Sequence, residues 1–122
     1  MADKITTEKV EQEWQSRRED LDKLLNKPED KKVIEEIGEL NDYGLSIDTV
    51  EAGTFEGQRE DYIRYQFSWG GPSDELRIFK NGDLEYWFLD WFDGGNIDVT
   101  HDKVAQQIAD YVLEFHNFTP EE

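Results

Sequence analysis

Two stretches near the N-terminus carry apolar residues at helical spacing. From Thr6 to Asn26 the apolar positions recur at intervals of 4, 7, 3 and 1 residues, which predicts an amphipathic helix capped by Thr6 or Thr7. Pro28 opens a second, shorter stretch, and Gly38 and the polar segment 41–44 end it. Its buried face would contain Val33, Ile34, Ile37 and Leu40. The pattern therefore predicts an N-terminal helical hairpin over residues 6–40.

Beyond Gly44 the apolar period changes to two, which is typical of β-strands. Residues 45–50 alternate, and residues 60–69 (EDYIRYQFSW) alternate most cleanly. Residues 75–80 (ELRIFK) lead into Asn81-Gly82, and residues 84–92 (LEYWFLDWF) return. Because Asn-Gly favours a two-residue type I′ turn, we expect Lys80 opposite Asp83, Ile78 opposite Glu85 and Leu76 opposite Trp87.

The last part of the pattern closes the predicted sheet and adds a helix. Residues 93–96 (DGGN) are interpreted as a turn, which leaves a four-stranded antiparallel sheet over residues 44–92. Thr100 is the predicted cap of a C-terminal helix over residues 100–116, whose apolar face packs on the sheet. The order predicts one α+β domain over residues 1–122.

Charge changes this picture more than any other compositional property. The chain carries 30 acidic and 13 basic residues, a net charge of −17, together with 16 aromatic residues that can build a core. Residues 1–40 hold 12 acids and 8 bases, whereas residues 41–122 hold 18 acids and 5 bases. Such a field repels nucleic acid and anionic membranes and favours basic protein surfaces. We therefore expect neither a nucleic-acid nor a membrane partner.

Several classes of protein are disfavoured by what the sequence lacks. There is no cysteine for thiol chemistry, no phosphate-binding loop, no dinucleotide fingerprint and no nucleophile elbow. Met1 is followed by polar residues rather than by an apolar signal segment, so we expect a cytoplasmic protein, in the host cytoplasm if it is phage-encoded. His101 is interpreted as an ordinary polar surface side chain and His116 as a partly packed side chain near the C-terminus, and we expect a non-catalytic protein without cofactors.

The segment from Asp90 to Asp98 combines carboxylates, an Asn amide and two glycines, which is ligand chemistry that suits calcium. Its spacing fits no EF-hand loop, and Asp and Asn are common in turns. A turn is the favoured interpretation, and a cation site remains the alternative.

Carboxylates on strands can present charge at regular intervals, because alternate residues on one face lie about 6.6 Å apart. This spacing is comparable with that of successive phosphates along a nucleic-acid strand. We therefore predict a partner-binding surface of acids at the strands and their rims, together with one aromatic residue: Glu60, Asp61, Asp74, Glu75, Asp83, Glu85, Asp90, Asp93, Asp98 and Trp91. Acids of the first helix are expected to matter less, because basic neighbours offset them.

The aromatic run at residues 86–93 (YWFLDWFD) has two interpretations. Its coincidence with a strand pattern favours a place in the core. The alternative is that some of Tyr86, Trp87, Trp91 and Phe92 are exposed and anchor a partner, because Trp and Tyr are frequent in interface hot spots.

In size, charge and aromatic content, and in the segments SWGGPSDE and DWFDGG, the chain resembles the small, cysteine-free, acidic inhibitors of phages and other mobile elements. Anti-restriction and anti-CRISPR proteins belong to this group. The resemblance is one of overall character and transfers no individual residue. It implies a DNA-mimic-like inhibitor that blocks a nucleic-acid-binding enzyme by occupying its basic cleft, without catalysis. We expect a monomer or a homodimer. The alternatives are an accessory or immunity-type module on a basic protein surface and, third, a metal-dependent enzyme.

Overall fold

The computed structural model describes residues 6–54, 58, 60–69, 72–90 and 93–116. The chain forms an α+β fold with three helices, five strands and a final helix in chain order. The elements are α1 (Thr7–Asn26), α2 (Lys31–Glu36), α3 (Leu40–Tyr43), β1 (Ser46–Val50), β2 (Tyr62–Ser68), β3 (Ser73–Phe79), β4 (Leu84–Asp90), β5 (Asp93–Asp98) and α4 (Lys103–Phe115).

The five strands form one antiparallel sheet in the order β1-β2-β3-β4-β5. Our prediction of four strands is therefore wrong by one: the segment interpreted as a closing turn is strand β5, which pairs with β4 from Asp90↔Asp93 to Glu85↔Asp98. Glycine is depleted in strands, so the two adjacent glycines of this segment favoured a turn over strand β5 in the prediction. At Gly94 a Cβ atom would lie only 2.7 Å from Leu89 Cδ2, so the cross-strand leucine occupies the space that a side chain would need.

The core lies between one face of the sheet and the two long helices. Alternate strand residues, among them Ile63, Leu76 and Tyr86, pack against α1 and α4. Helix α1 contributes Val10 and Trp14 to the same cluster. Tyr86 is thus a core residue, whereas Trp91 and Phe92 lie outside the described residues.

The predicted N-terminal hairpin is wrong in its second half. Helix α1 begins after the cap Thr6 and runs to Asn26, but α2 has only 6 residues. Ile34 is exposed rather than buried, and Gly38 takes a positive φ of 104° that interrupts the helix before α3. The left-handed conformation at Gly38 explains why one apolar pattern yields two short helices.

The β3–β4 turn contains three residues rather than the predicted two. Phe79 N donates to Asp83 O (2.9 Å), and Gly82 adopts a φ of 97° as the left-handed residue of the loop. Register therefore shifts by one residue, and Arg77 lies opposite Glu85 and Leu76 opposite Tyr86. A shift of one residue moves the side chains of one strand to the other face of the sheet relative to its partner. The observed register therefore places Arg77 beside Glu85 and Leu76 beside Tyr86.

Helix α4 is capped by Asp102, not by Thr100 as we expected. Asp102 Oδ1 accepts from the backbone N–H groups of Val104 (2.8 Å) and Ala105 (3.1 Å). Thr100 Oγ1 instead accepts from the backbone N–H of Leu84 (3.0 Å), which fastens the start of β4 to the segment before α4. No helix in the described residues is long and apolar enough to cross a membrane.

Candidate functional site

The ten residues predicted to bind a partner are distributed over three environments. Two of them, Asp74 and Glu75, are buried, with 2% of each residue exposed, so the expectation that they are presented to a partner as exposed charges is wrong. Seven others are exposed or half-buried: Glu60, Asp61, Asp83, Glu85, Asp90, Asp93 and Asp98. Trp91 lies outside the described residues.

Asp74 is the centre of a buried hydrogen-bond cluster that joins α1 to the sheet. Arg17 donates to both carboxylate oxygens through Nε and Nη2 (2.9 Å each), and the Tyr86 hydroxyl donates to Oδ2 (2.7 Å). Ser68 Oγ also donates to this carboxylate. Burial raises the pKa of Tyr86 far above its ordinary value, and the nearby negative charge of Asp74 adds to the increase. Asp74 is therefore a structural anchor with its oxygens occupied.

Glu75 lies on the other face of the sheet and pairs with Arg77. Arg77 Nε donates to Glu75 Oε2 (2.9 Å), while its guanidinium carbon lies 3.8 Å from the ring centroid of Trp87. The same guanidinium lies 4.7 Å from the Tyr62 ring. Trp87 in turn donates from Nε1 to Glu85 (2.9 Å). This face presents an arginine held between aromatic rings, with Trp87 half-buried.

The arginines of the described chain all face carboxylates. Each of the four forms an ion pair at 2.7–2.9 Å: Arg17–Asp74, Arg18–Asp102, Arg64–Asp48 and Arg77–Glu75. Opposite charges at this distance largely cancel each other's field outside the protein. The field that a partner meets therefore comes mainly from the other carboxylates.

Five exposed carboxylates gather where β1 and β5 end, where β2 begins and where β3 turns into β4. We call this group the acidic hairpin end: Glu51, Glu60, Asp61, Asp83 and Asp98. The register brings these ends together, because Val50 pairs with Tyr62, Tyr62 with Phe79, and Glu85 with Asp98.

Neutral donors hold three of these carboxylates in place. Asp61 accepts from the backbone N–H of Ala52 (2.7 Å), Asp83 from the Asn81 amide (3.0 Å) and Asp98 from the backbone N–H of Thr100 (2.8 Å). Hydrogen bonds from Thr100 lower the pKa of Asp98, which keeps this carboxylate charged. Such bonds fix orientation without neutralising the charge, so these three carboxylates of the acidic hairpin end are both charged and held in place.

Asp90 and Asp93 do not belong to the acidic hairpin end. They face each other across the β4–β5 pair, at the opposite end of β4 from Asp83. A strand rises about 3.3 Å per residue, so the two ends are roughly 20 Å apart. The predicted surface is thus divided between two ends of the sheet.

Sequence reasoning missed a groove between α1 and the end of β5. It has a volume of about 820 Å³ and runs between a stripe of α1 and the segment from Ile97 to Asp102. We call it the acidic groove because its lining contains five carboxylates, among them Glu8, Glu11 and Glu19 of α1, but no described lysine or arginine. The helical spacing of those three glutamates was the available signal.

We expected basic neighbours to offset the acids of α1. The ion pairs of Lys9, Arg17 and Arg18, however, involve residues other than Glu8, Glu11 and Glu19. Arg18 Nε and Trp14 Nε1 both donate to Asp102 Oδ2 (2.9 and 3.3 Å). Burial alone would raise the pKa of Asp102, but the bond from Ala105 N–H and those from Arg18 and Trp14 lower it below its usual value. Arg17 pairs with Asp74, and Lys9 pairs with Glu13. Neither base lines the acidic groove.

The histidines and acids of the described residues form no group of three or more that could hold a metal ion. His101 is exposed in the acidic groove, and His116 Nε2 lies 2.7 Å from Thr49 Oγ1.

Comparison of the chain with protein-family models, curated proteins and solved structures finds no match.

Proposed function

We propose that the protein is a non-catalytic acidic inhibitor that occupies the basic cleft of a nucleic-acid-binding enzyme or complex, in the manner of a DNA mimic. The observation that carries the proposal is the acidic hairpin end, whose five carboxylates are exposed and of which Asp61, Asp83 and Asp98 are held by neutral donors. A pre-organised charge array loses little conformational entropy when Lys and Arg side chains bind it. Phage anti-defence, of the anti-restriction or anti-CRISPR type, is the setting that suits such an inhibitor.

The strand geometry supports mimicry as well as simple attraction. Asp83 directly precedes β4 and Glu85 is the second residue of that strand, and two positions along an extended chain span about 6.6 Å. Glu85 and Asp98 face each other across the β4–β5 pair, where Cβ atoms lie about 4.5–5.5 Å apart. Charges therefore recur in two directions at distances comparable with phosphate spacing, which suits a cleft built for a nucleic-acid backbone.

Net charge supports the same partner class through kinetics. A net charge of −17 steers a basic partner toward the protein and raises the association rate, with a strong dependence on salt. The same field opposes binding of DNA or RNA. The proposed partner is therefore the basic surface of a nucleic-acid-binding protein and not the nucleic acid.

A second candidate function is an accessory or immunity-type module that binds a basic protein surface without imitating nucleic acid. The half-buried Trp87, whose ring lies 3.8 Å from the Arg77 guanidinium, favours it, because Trp and Arg are among the residues most enriched in interface hot spots. In that case Trp87 would dominate affinity, whereas mimicry requires the acidic hairpin end to dominate it.

Capture of partners from an extract of the source cells tests the proposal. The immobilised protein should retain a nucleic-acid-binding protein, and duplex DNA or RNA should elute it. The test variant replaces Glu51, Glu60, Asp61 and Asp83 with their amides, and the matched control replaces Glu29, Glu35, Glu36 and Glu39, which are also exposed. Both variants lose four negative charges, so a general charge effect weakens both equally.

The proposal predicts that the hairpin-end variant fails to retain the partner and that the control variant retains it. The second candidate would be supported instead if nucleic acid did not elute the retained partner and if Trp87→Ala abolished its retention.

A further inference from the structure

Strand β5 lies at an edge of the sheet. In the described part of the chain it pairs with β4 alone. Val99 N donates to Leu84 O (2.9 Å), which fixes the alternation of hydrogen bonds along this pair. Asn96 and Asp98 therefore direct their backbone N–H and C=O groups away from β4. An edge of this kind is a template for another extended chain.

The acidic groove borders this edge and supplies an independent constraint on the occupant. Ile97 and Asp98 line it from the strand, and Glu8, Glu11 and Glu19 line it from α1. Side chains of an added strand alternate between the two faces of the sheet. Those on the helix side would meet the three glutamates, and those on the other side would pass Asp98. Lysine or arginine at these positions would find a carboxylate on either face.

We infer that the β5 edge and the acidic groove together bind an extended, basic segment of a partner protein as a sixth strand. The inference rests on the proposed function, since it names a contact that the same partner makes. Main-chain pairing supplies affinity in this mode of recognition, and the alternate side chains supply specificity. The glutamates of α1 thus select for a basic strand.

Capping of a strand edge with charge is also a way to prevent aggregation, and the experiment must separate the two roles. The probe is a synthetic, end-blocked peptide of eight residues in which Lys and Val alternate. Its control has the same sequence with alternate backbone nitrogens methylated, which keeps the charge but prevents pairing along one edge. Binding is followed by the backbone amide signals of the isotope-labelled protein.

The alternating peptide should shift the amide signals of Asn96 and Asp98 and slow their hydrogen exchange. The methylated peptide should bind at least about tenfold more weakly, because it lacks the ladder hydrogen bonds. Equal binding of the two peptides, or binding of neither, would overturn the inference.

Two variants test the strand and the groove separately. Asn96→Pro removes an outward N–H that makes no bond to β4, a position at which an edge strand tolerates proline. The triple change Glu8→Gln, Glu11→Gln and Glu19→Gln keeps the edge but removes the charge, and serves if the proline variant does not fold. Each should weaken peptide binding about tenfold or more, whereas Glu29→Gln, Glu35→Gln and Glu36→Gln should change it less than about twofold. Unchanged binding by the triple variant would refute the groove's part.

The experiments distinguish failure of strand pairing at the β5 edge from failure of the proposed function. The hairpin-end variant leaves Glu8, Glu11 and Glu19 in place. If it loses the captured partner while the peptides do not bind, mimicry stands and strand pairing is withdrawn.

Discussion

Replacement of Asp74 by Asn should unfold the protein at a much lower denaturant concentration. The carboxylate accepts hydrogen bonds from Arg17, Tyr86 and Ser68 inside the protein, and only 3% of its side chain is exposed. An amide cannot accept at both of its ends, so at least one donor loses its partner and the guanidinium loses its counter-charge. Breaking a buried pair by removing one partner costs about 3–5 kcal/mol. That is a large part of the 5–15 kcal/mol typical of a folded domain.

Urea unfolding followed by tryptophan fluorescence measures this change. The expected loss of free energy of unfolding is about 3 kcal/mol or more, with little change in the denaturant slope. Asp83→Asn is the matched control, because it removes the same charge from an exposed turn and should alter stability by less than about 0.5 kcal/mol. If Asp74→Asn were as stable as Asp83→Asn, Asp74 would not be the structural anchor that its contacts indicate.

Further predictions concern the sheet and its tyrosines. Tyr62 is 1% exposed and its hydroxyl has no hydrogen-bond partner among the described residues, so Tyr62→Phe should raise the free energy of unfolding by about 1 kcal/mol; a loss on urea unfolding would contradict this. At Gly44 a Cβ atom would lie 1.8 Å from Tyr65 Cε1, so Gly44→Ala should lower thermal stability by about 1–3 kcal/mol, and an unchanged melting temperature would refute the clash. Burial raises the pKa of Tyr43 and of Tyr65 to about 12. Unfolded tyrosine ionises near pH 10, so stability present below that pH should decline as pH rises toward 12, and a flat unfolding midpoint from pH 9 to 12 would contradict it.

Elements with a strong local period were predictable from the sequence. The stretch 60–69 gave β2 at Tyr62–Ser68, and the stretch 100–116 gave α4 at Lys103–Phe115. Strand β5 was not predictable from its composition, because its glycines are tolerated for reasons of cross-strand packing. The turn at Asn81-Gly82 was recognised, but its length was not, since Gly82 also serves as the left-handed residue of a three-residue loop.

Which acids are exposed was the harder question. Asp74 is in phase with Leu76 and Ile78 on the core face, but it precedes the predicted strand at residues 75–80, and its partner Arg17 is 57 positions away. Glu75 and Arg77, in contrast, are near neighbours, but the rings of Tyr62 and Trp87 that enclose the arginine come from other strands. Long-range pairing removes such charges from the surface, and no local pattern reports it.

Displacement of nucleic acid from the captured partner is the most direct test of the central claim. A labelled duplex bound to that partner is followed by fluorescence anisotropy while the protein is added at several salt concentrations. The account predicts that the protein releases the duplex, and that its affinity falls steeply as salt rises.

The hairpin-end variant, with amides at Glu51, Glu60, Asp61 and Asp83, should be weaker by about tenfold or more, if each exposed charge contributes roughly 0.4 kcal/mol. The α2-region control at Glu29, Glu35, Glu36 and Glu39 should change little. A partner that holds the protein and the duplex at the same time, or a hairpin-end variant as effective as the unaltered protein, would contradict nucleic-acid mimicry.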